Sequence, residues 1–362
     1  MHCRGIFIVN RSTDEPPEQA AALAIIGGSA GALPAARQIT RHLRPGMGLA
    51  VVIIAHLSSR SSSTLDKYVS RDSGLPAAFA TDGQTLEADH IYIAPPDLHL
   101  LFDAGRIRLN SGPRINYSRP SIDVAMRSGA VHFGPRTVGI LLSGMLDDGA
   151  AGVESIQACG GKTIIQDPEE APYPAMPLSA INAITPDHVA DVENIGALLL
   201  EIVEAFPAGP ITVDVPQALQ LEAALDRTLE NAQSRLDQLG ARTSLACPDC
   251  GGPLWEIPRD GENGYRCHIG HAYSASRLLE SQWDEIEKSL WVALRSLEEK
   301  SRLLQRLAKE EASRRPNSPL TSFETKAREA EAHTQQLRTL LSKMVFEPGQ
   351  EAEPPVQSPE ST

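Results

Sequence analysis

The sequence predicts a doubly wound α/β domain with a mainly parallel sheet, followed by a small cysteine-bearing module and a helical hairpin. Three observations carry this. From Ala21 to about Phe206, short apolar runs alternate with helix-like segments, which implies parallel crossovers. Cys247, Cys250 and Cys267 then fall within 21 residues, with His271 just beyond. Last come two apolar stripes at helical spacing, separated by a short proline-containing breaker.

Residues 1–20 lack periodicity, carry Pro16-Pro17 and read as a flexible leader. Strands are expected at Ala24–Gly28, Val51–Ala55, His90–Ala94, Arg106–Leu109 (a hairpin or edge), Val138–Leu142 and Lys162–Ile165. Helices are expected at 33–43, 61–73, 121–133 and 149–160, the last stopped by Gly160-Gly161. Pro207-Ala208-Gly209-Pro210 closes the domain of residues 21–206. A linker and helix follow over 207–243, with residues 216–239 reading as one polar amphipathic helix, and a zinc-ribbon-like module over 244–273.

The hairpin occupies 274–345. Its first stripe is Trp283, Ile286, Leu290, Ala293, Leu297, Leu304 and Leu307, with Lys300 interrupting. The second is Phe323, Ala327, Ala330, Thr334, Leu337, Leu341 and Met344, and the breaker between them holds Pro316 and Pro319. Residues 346–362, rich in Pro, Glu and Ser, are expected to be disordered.

Composition narrows the function. A formal net charge of −13 over 362 residues argues against nucleic acid or an anionic membrane surface as the main partner. The longest apolar run, Leu49–Leu57, is far short of the roughly 20 residues of a membrane span. Gly5–Val9 is too short for a signal peptide, so a cytoplasmic protein is expected. Cysteines clustered in such a chain favour metal over disulfide, and Cys3 and Cys159 read as ordinary thiols.

Three of the apolar runs end in chemistry. The first leads into Gly27-Gly28-Ser29-Ala30-Gly31, the second into His56, and Val138–Leu142 into Ser143-Gly144-Met145-Leu146-Asp147-Asp148-Gly149. As parallel strands they would deliver a hydroxyl, an imidazole and a carboxylate to one sheet edge, where open α/β sheets place their ligands. Those are the parts of an activated-serine acyl-transfer site. Gly27-x-Ser29-x-Gly31 matches a nucleophile elbow, but alone it is a weak signal. A dinucleotide loop fails, because Ile26 stands where the first glycine of G-x-G-x-x-G is needed. His56 lies 27 residues after Ser29, one strand-helix-strand unit, so the two would emerge side by side. The acid is Asp148 or Asp147; two acids before a glycine also read as a helix N-cap. The order Ser…His…Asp differs from that of α/β-hydrolases.

These segments resemble the catalytic domain of the chemotaxis protein-glutamate methylesterases, the CheB family. Tyr92-Ile93-Ala94-Pro95-Pro96-Asp97-Leu98-His99 is similar to that family's Y-I-A-P-x-D-x-H. Arg119–Val124 resembles R-P-S-V-D-V, and Gly144–Gly152 resembles G-M-G-x-D-G-A-x-G. The likeness covers roughly residues 22–203. It implies a CheB methylesterase-like fold, Ser29 as nucleophile, His56 as base, Asp148 as the orienting acid, and backbone N–H groups of Ala30 and Met145 as oxyanion donors. It also implies hydrolysis of glutamate γ-methyl esters on a methylated chemoreceptor, with glutamine deamidation at the same site, in chemotaxis adaptation. No catalytic cofactor is implied, and membrane receptors would be reached only through protein contacts. For His99, Arg119 and Asp123, substrate contact and scaffold hydrogen bonding both stay open. Ala30, Ala32 and Leu146 depart from the family pattern. With only residues 1–20 ahead of the first strand, the family's common receiver domain is expected to be absent.

Cys247-x-x-Cys250 and Cys267-x-x-x-His271 offer four ligands suited to tetrahedral Zn²⁺, and four protein ligands make such an ion structural. A metal-free hairpin is the competing reading. The helices could dimerise the protein, tether it or pack on the ribbon. Beside the esterase stand two other functions: a weakly catalytic binding or regulatory protein on the same fold, and a hydrolase of small esters.

Overall fold

The computed structural model describes residues 20–56, 64–206, 209, 213–259, 261–314 and 322–344. The expected leader (but for its last residue), most of the 207–210 boundary, the proline breaker, Cys3 and the tail lie outside these residues. Those described fall into two compact units that divide between Arg277 and Leu278.

The first unit is built on seven strands: β1 (Ala22–Gly28), β2 (Leu49–Ala55), β3 (Ala77–Phe79), β4 (His90–Ile93), β7 (Thr137–Leu141), β8 (Lys162–Gln166) and β9 (His188–Ala190). Their order is β3-β4-β2-β1-β7-β8-β9, and every pairing is parallel. The chain winds outward from β1 in one direction and returns through β7 in the other. The cleft between them is the topological switch point where such sheets bind ligands. The antiparallel pair β5 (His99–Asp103) and β6 (Arg106–Asn110) forms the expected hairpin apart from this sheet.

Alternate residues of the central strands feed two cores, as the two-residue period requires. Leu23, Ile25, Val52 and Ile54 pack under α3 (Ile122–Phe133), α4 (Ala150–Ala158) and α5 (Ala175–Ala183). Ala24, Ile26, Val51 and Ile53 pack under α1 (Ala32–Thr40), α2 (Leu65–Ser70) and α6 (Val192–Glu204).

The segment 216–239 is not one helix. It is α7 (Gln217–Arg227) and α8 (Ala232–Leu239), broken where Thr228 is extended and Asn231 takes a left-handed φ of 54°. The break gathers Leu225, Leu236 and Leu239 around Trp255 and Ile257. Those last two lie in an antiparallel four-stranded sheet: β10 (Ala241–Ala246), β11 (Pro253–Ile257), β12 (Gly264–Cys267) and β13 (Ala272–Ser274).

A buried charge cluster joins this sheet, α7 and the esterase-like core. Asp226 accepts from Arg127 Nε of α3 and from Arg266 of β12, both at 2.7 Å. Glu222 accepts from Arg127 at 3.1 Å and Arg259 at 2.7 Å, and Glu154 lies 3.5 Å from Arg259. Three guanidinium groups thus meet three carboxylates.

Helix α9 (Ala275–Arg314) has its first three residues in the first unit; from Leu278 on it belongs to the second, where it pairs antiparallel with α10 (Ser322–Met344). Glu298 meets Arg338, Ser301 meets Glu331, and Leu304 meets Ala327 and Ala330. After Leu278 and Ser281 near its start, the buried residues of α9 are Leu294, Ser301, Leu304 and Ala308, while Trp283 and Ile286 of the expected stripe are exposed. These contacts with α10 fall on the later part of α9, from Glu298 to Leu304. Among the described residues no helix is long and apolar enough to cross a membrane.

Burial alone would raise the Asp226 carboxyl, but Arg127 and Arg266 hold it at about 2. Its contribution to stability is full above the unfolded carboxyl value near ~4 and is lost as pH falls through about 2. Asp226→Asn leaves buried Arg266 without its carboxylate and Arg127 with Glu222 alone, and is expected to cost about 3–5 kcal/mol at neutral pH. The urea midpoint reads that loss, and in the variant it falls less steeply between roughly pH 4 and 2 than in the wild type.

Candidate active site

Register alone brings Ser29 and His56 together. Gly28 pairs with Ala55 across β1 and β2, so the next residue of each strand leaves the sheet at the same level. The β7 side is equally close: Leu142 N–H donates to Gly27 O at 2.9 Å, and Ser29 N–H to Ser143 O at 3.0 Å. Gly31, at φ 79°, turns the chain into α1. Gly144 admits Ser29 itself, since a Cβ at Gly144 would stand 3.1 Å from the Ser29 Cβ and 2.6 Å from the Met176 sulfur.

His56 Nε2 and Asp148 Oδ2 are 2.8 Å apart, with Asp148 buried. An acceptor there keeps the ring proton on Nε2 and the lone pair on Nδ1. Asp148 also sits at the N-terminus of α3. Its Oδ2 accepts from Ile122 N–H at 2.8 Å, and its Oδ1 from Ser121 Oγ at 2.9 Å and Asp123 N–H at 3.2 Å. Burial would push this carboxyl up; the His56 bond and charge and the backbone donors outweigh it and hold it below the ordinary range. Asp123 returns the arrangement, accepting at Oδ1 from Gly149 N–H (2.9 Å) and Gly152 N–H (2.7 Å) at the start of α4. Burial and the neighbouring Asp148 charge push Asp123 up to about 8. Each carboxylate therefore caps the other's helix, with the lower value on the one facing His56.

Among the described residues, neither Ala30 N–H nor Met145 N–H has an acceptor within the chain. Ser143, fully buried and not singled out from sequence, fixes the turn beside them: its hydroxyl donates to Ala30 O at 2.8 Å and accepts from Tyr173 N–H at 3.0 Å. Leu146 takes φ 77°, a left-handed conformation costly for a branched side chain.

His99 and Asp123 are scaffold, and the Arg119 contacts are with the protein as well. His99 is buried, which pushes its imidazole below the ordinary value; Nε2 donates to Pro113 O at 2.9 Å and Nδ1 accepts from Ser121 N–H at 3.2 Å. Arg119 donates to Ser111 O and Gly112 O. Ser121 is the residue the motif contained and sequence reasoning passed over; it caps α3 and touches Asp148 at once.

The cysteine segment closes on itself. Ligand atoms of Cys247, Cys250, Cys267 and His271 lie within 4.8 Å of one another. Cys250 to Cys267 is 3.7 Å, and His271 Nδ1 is 3.7 Å from Cys247 and 3.6 Å from Cys267. A tetrahedral ion with bonds of ~2.3 Å to sulfur and ~2.1 Å to nitrogen needs edges of roughly 3.5–3.8 Å. The four described cysteines are free, Cys159 among them, its buried thiol pushed up to about 11.

The family model for CheB methylesterase matches residues 24–199. A Leptospira interrogans protein, provisionally named protein-glutamate methylesterase/protein-glutamine glutaminase, is 32% identical over 179 residues, covering 49% of this chain and 93% of its own. The chain belongs to the CheB methylesterase family. Protein-glutamate methylesterase/protein-glutamine glutaminase 1 of Xanthomonas euvesicatoria is 33% identical over 184 residues. A Hydrogenovibrio crunogenus protein named for the same two activities is 34% identical over 183. The match spans about half the length of each of these two, 51% and 48%. The solved CheB methylesterase catalytic domain of Thermotoga maritima aligns at TM-score 0.48 and 27% identity, over 50% of this chain and 98% of its own.

At position 146 the strain is removable: Leu146→Gly is expected to raise stability by about 1 kcal/mol, seen as an upward Tm shift of roughly 2–4 °C.

Proposed function

We propose that this CheB-family chain is a protein-glutamate methylesterase that also deamidates glutamine, acting on a methylated receptor protein. The observation that carries the reading is the His56–Asp148 hydrogen bond at the strand ends beside Ser29. With Nε2 bound to Asp148, Nδ1 is the nitrogen available to take the Ser29 proton. Ser29 Oγ then attacks the γ-carbonyl, and the developing oxyanion is received by the Ala30 and Met145 N–H groups. The protonated imidazole gives its proton to the departing methoxide, releasing methanol. Water, deprotonated by the same ring, hydrolyses the acyl-serine to free glutamate. With glutamine the leaving group is ammonia and the remaining steps are the same. The low-lying Asp148 carboxyl stays ionised beside the imidazolium, which it stabilises.

Cys247, Cys250, Cys267 and His271 are proposed to hold Zn²⁺. Four protein ligands leave no open position, so the ion is structural and takes no part in ester cleavage.

Methanol release from a methylated receptor fragment is the direct test: wild type is expected to turn over and Ser29→Ala not to. Asp148→Asn loses the anion that sets the ring tautomer and is expected to fall ~10²–10⁴-fold in kcat. Equal release by wild type and Ser29→Ala sinks the reading. Elemental analysis is expected to find one zinc per chain, lost with a lowered Tm in Cys250→Ser.

A further inference from the structure

The strand that follows His271 runs back to the loop carrying Asp148. Asn116 N–H donates to Ala272 O at 3.0 Å, and Ser274 N–H donates to Asn116 Oδ1 at 3.1 Å. The Asn116 amide in turn donates to Asp123 at 3.2 Å, inside the reciprocal caps. Further along, Asp147 receives the Ser274 hydroxyl and, at 3.0 Å, Arg277 Nε. Arg277 N–H closes the group by donating to Ser274 Oγ at 3.2 Å. Asp147 and Arg277 are both nearly buried, at 9% and 7% exposure, so this is not a solvated surface pair.

Asp147 stands between the left-handed Leu146 and Asp148. A strained backbone persists only where its surroundings over-determine it. Here the loop from Ser143 to Gly149 is held at one end by Ser143 and by Gly144 N–H on Tyr173 O, and at the other by the caps on Asp148 and Gly149. Asp147 is a hold between those ends, and its partners, Ser274 at the end of β13 and Arg277 in the first turn of α9, come from the segment that follows the ligand cluster rather than from the parallel sheet. Ser274 lies three residues beyond His271 and pairs with Gly264 of β12, the strand that ends in Cys267, so it is joined to the ligand cluster along both strands.

We propose that Ser274 and Arg277 are positioning residues for the esterase. By gripping Asp147 they hold residues 145–148 so that Met145 N–H and Asp148 face the reacting groups, and they tie that geometry to the ligand state of the Cys₃His cluster. The catalytic part of this rests on the methylesterase reading; the mechanical part does not.

The test uses the full chain: wild type, Arg277→Gln, Arg277→Lys, Ser274→Ala, and wild type stripped by a zinc chelator. Two readouts are taken, hydrogen exchange of the amides of residues 143–152, and kcat and KM for methanol release. Arg277→Gln is expected to lower kcat ~10–100-fold with KM little changed, as loss of positioning does, and Arg277→Lys to recover part of it. Exchange over 143–152 is expected to rise about tenfold in Arg277→Gln and in stripped wild type, while β1 and β7 stay protected. Stripping should add nothing further over 143–152 in Arg277→Gln. Should Arg277→Gln fail to fold, Ser274→Ala carries the same comparison. Wild-type exchange over 143–152 in the folded variants overturns the proposal. So does faster exchange spread evenly through the sheet, since that marks general destabilisation. A wild type without turnover would remove the methylesterase reading, with the exchange arm still deciding whether the grip exists.

Discussion

The structure around the site depends on one buried negative charge, that of Asp148. Its two oxygens take four donors: His56, the Ser121 hydroxyl, and the first N–H groups of α3. Those N–H groups have no partner within their own helix, so the carboxylate satisfies them while the helix dipole favours its charge. The same carboxylate bonds His56, so the N-terminus of α3 and the end of β2 meet on one group. Asp123 repeats the device for α4, and the two helices become mutually dependent. Two carboxylates this close cannot share ionisation equally, and the donors around Asp148 decide which keeps the charge.

Much of this was legible in the sequence because a parallel sheet has a simple grammar. Ser29, His56 and Asp148 each close or follow an apolar run, and parallel register puts such positions on one edge. The cysteine and histidine cluster was legible because its members sit in two short spacings, and the structure brings their ligand atoms within 4.8 Å of one another. The edge strands β3 and β9 were not, since three residues are too few to display a period. The break at Thr228–Asn231 was hidden because the apolar spacing continues through it; only the position of Trp255 shows why the chain turns. Ser121 and Ser143 looked like ordinary small polar residues, and their importance lies in partners far along the chain.

Leu146 and Ser143 show how the loop after β7 reconciles two demands. The backbone must bend sharply enough to bring the Asp148 carboxylate to His56. It must also bury Ser143 completely, with its hydroxyl and N–H bonded to Ala30, Tyr173 and Gln166. A leucine in a left-handed position is tolerated because both flanks are tied down.

The charge cluster around Arg127 bears on how such a protein changes over generations. Arg127 belongs to α3, the helix that Asp148 caps, yet its partners Glu222 and Asp226 come from the segment beyond the sheet. A lineage that shed the cysteine-bearing segment would strand a guanidinium inside the catalytic half. One that acquired the segment without Arg127 would leave Glu222 with Arg259 alone and Asp226 with Arg266 alone, two acids each short of one guanidinium. The two halves are therefore fitted to each other at this seam, and a change at Arg127, Glu222, Asp226, Arg259 or Arg266 alters the charge balance on both sides of it.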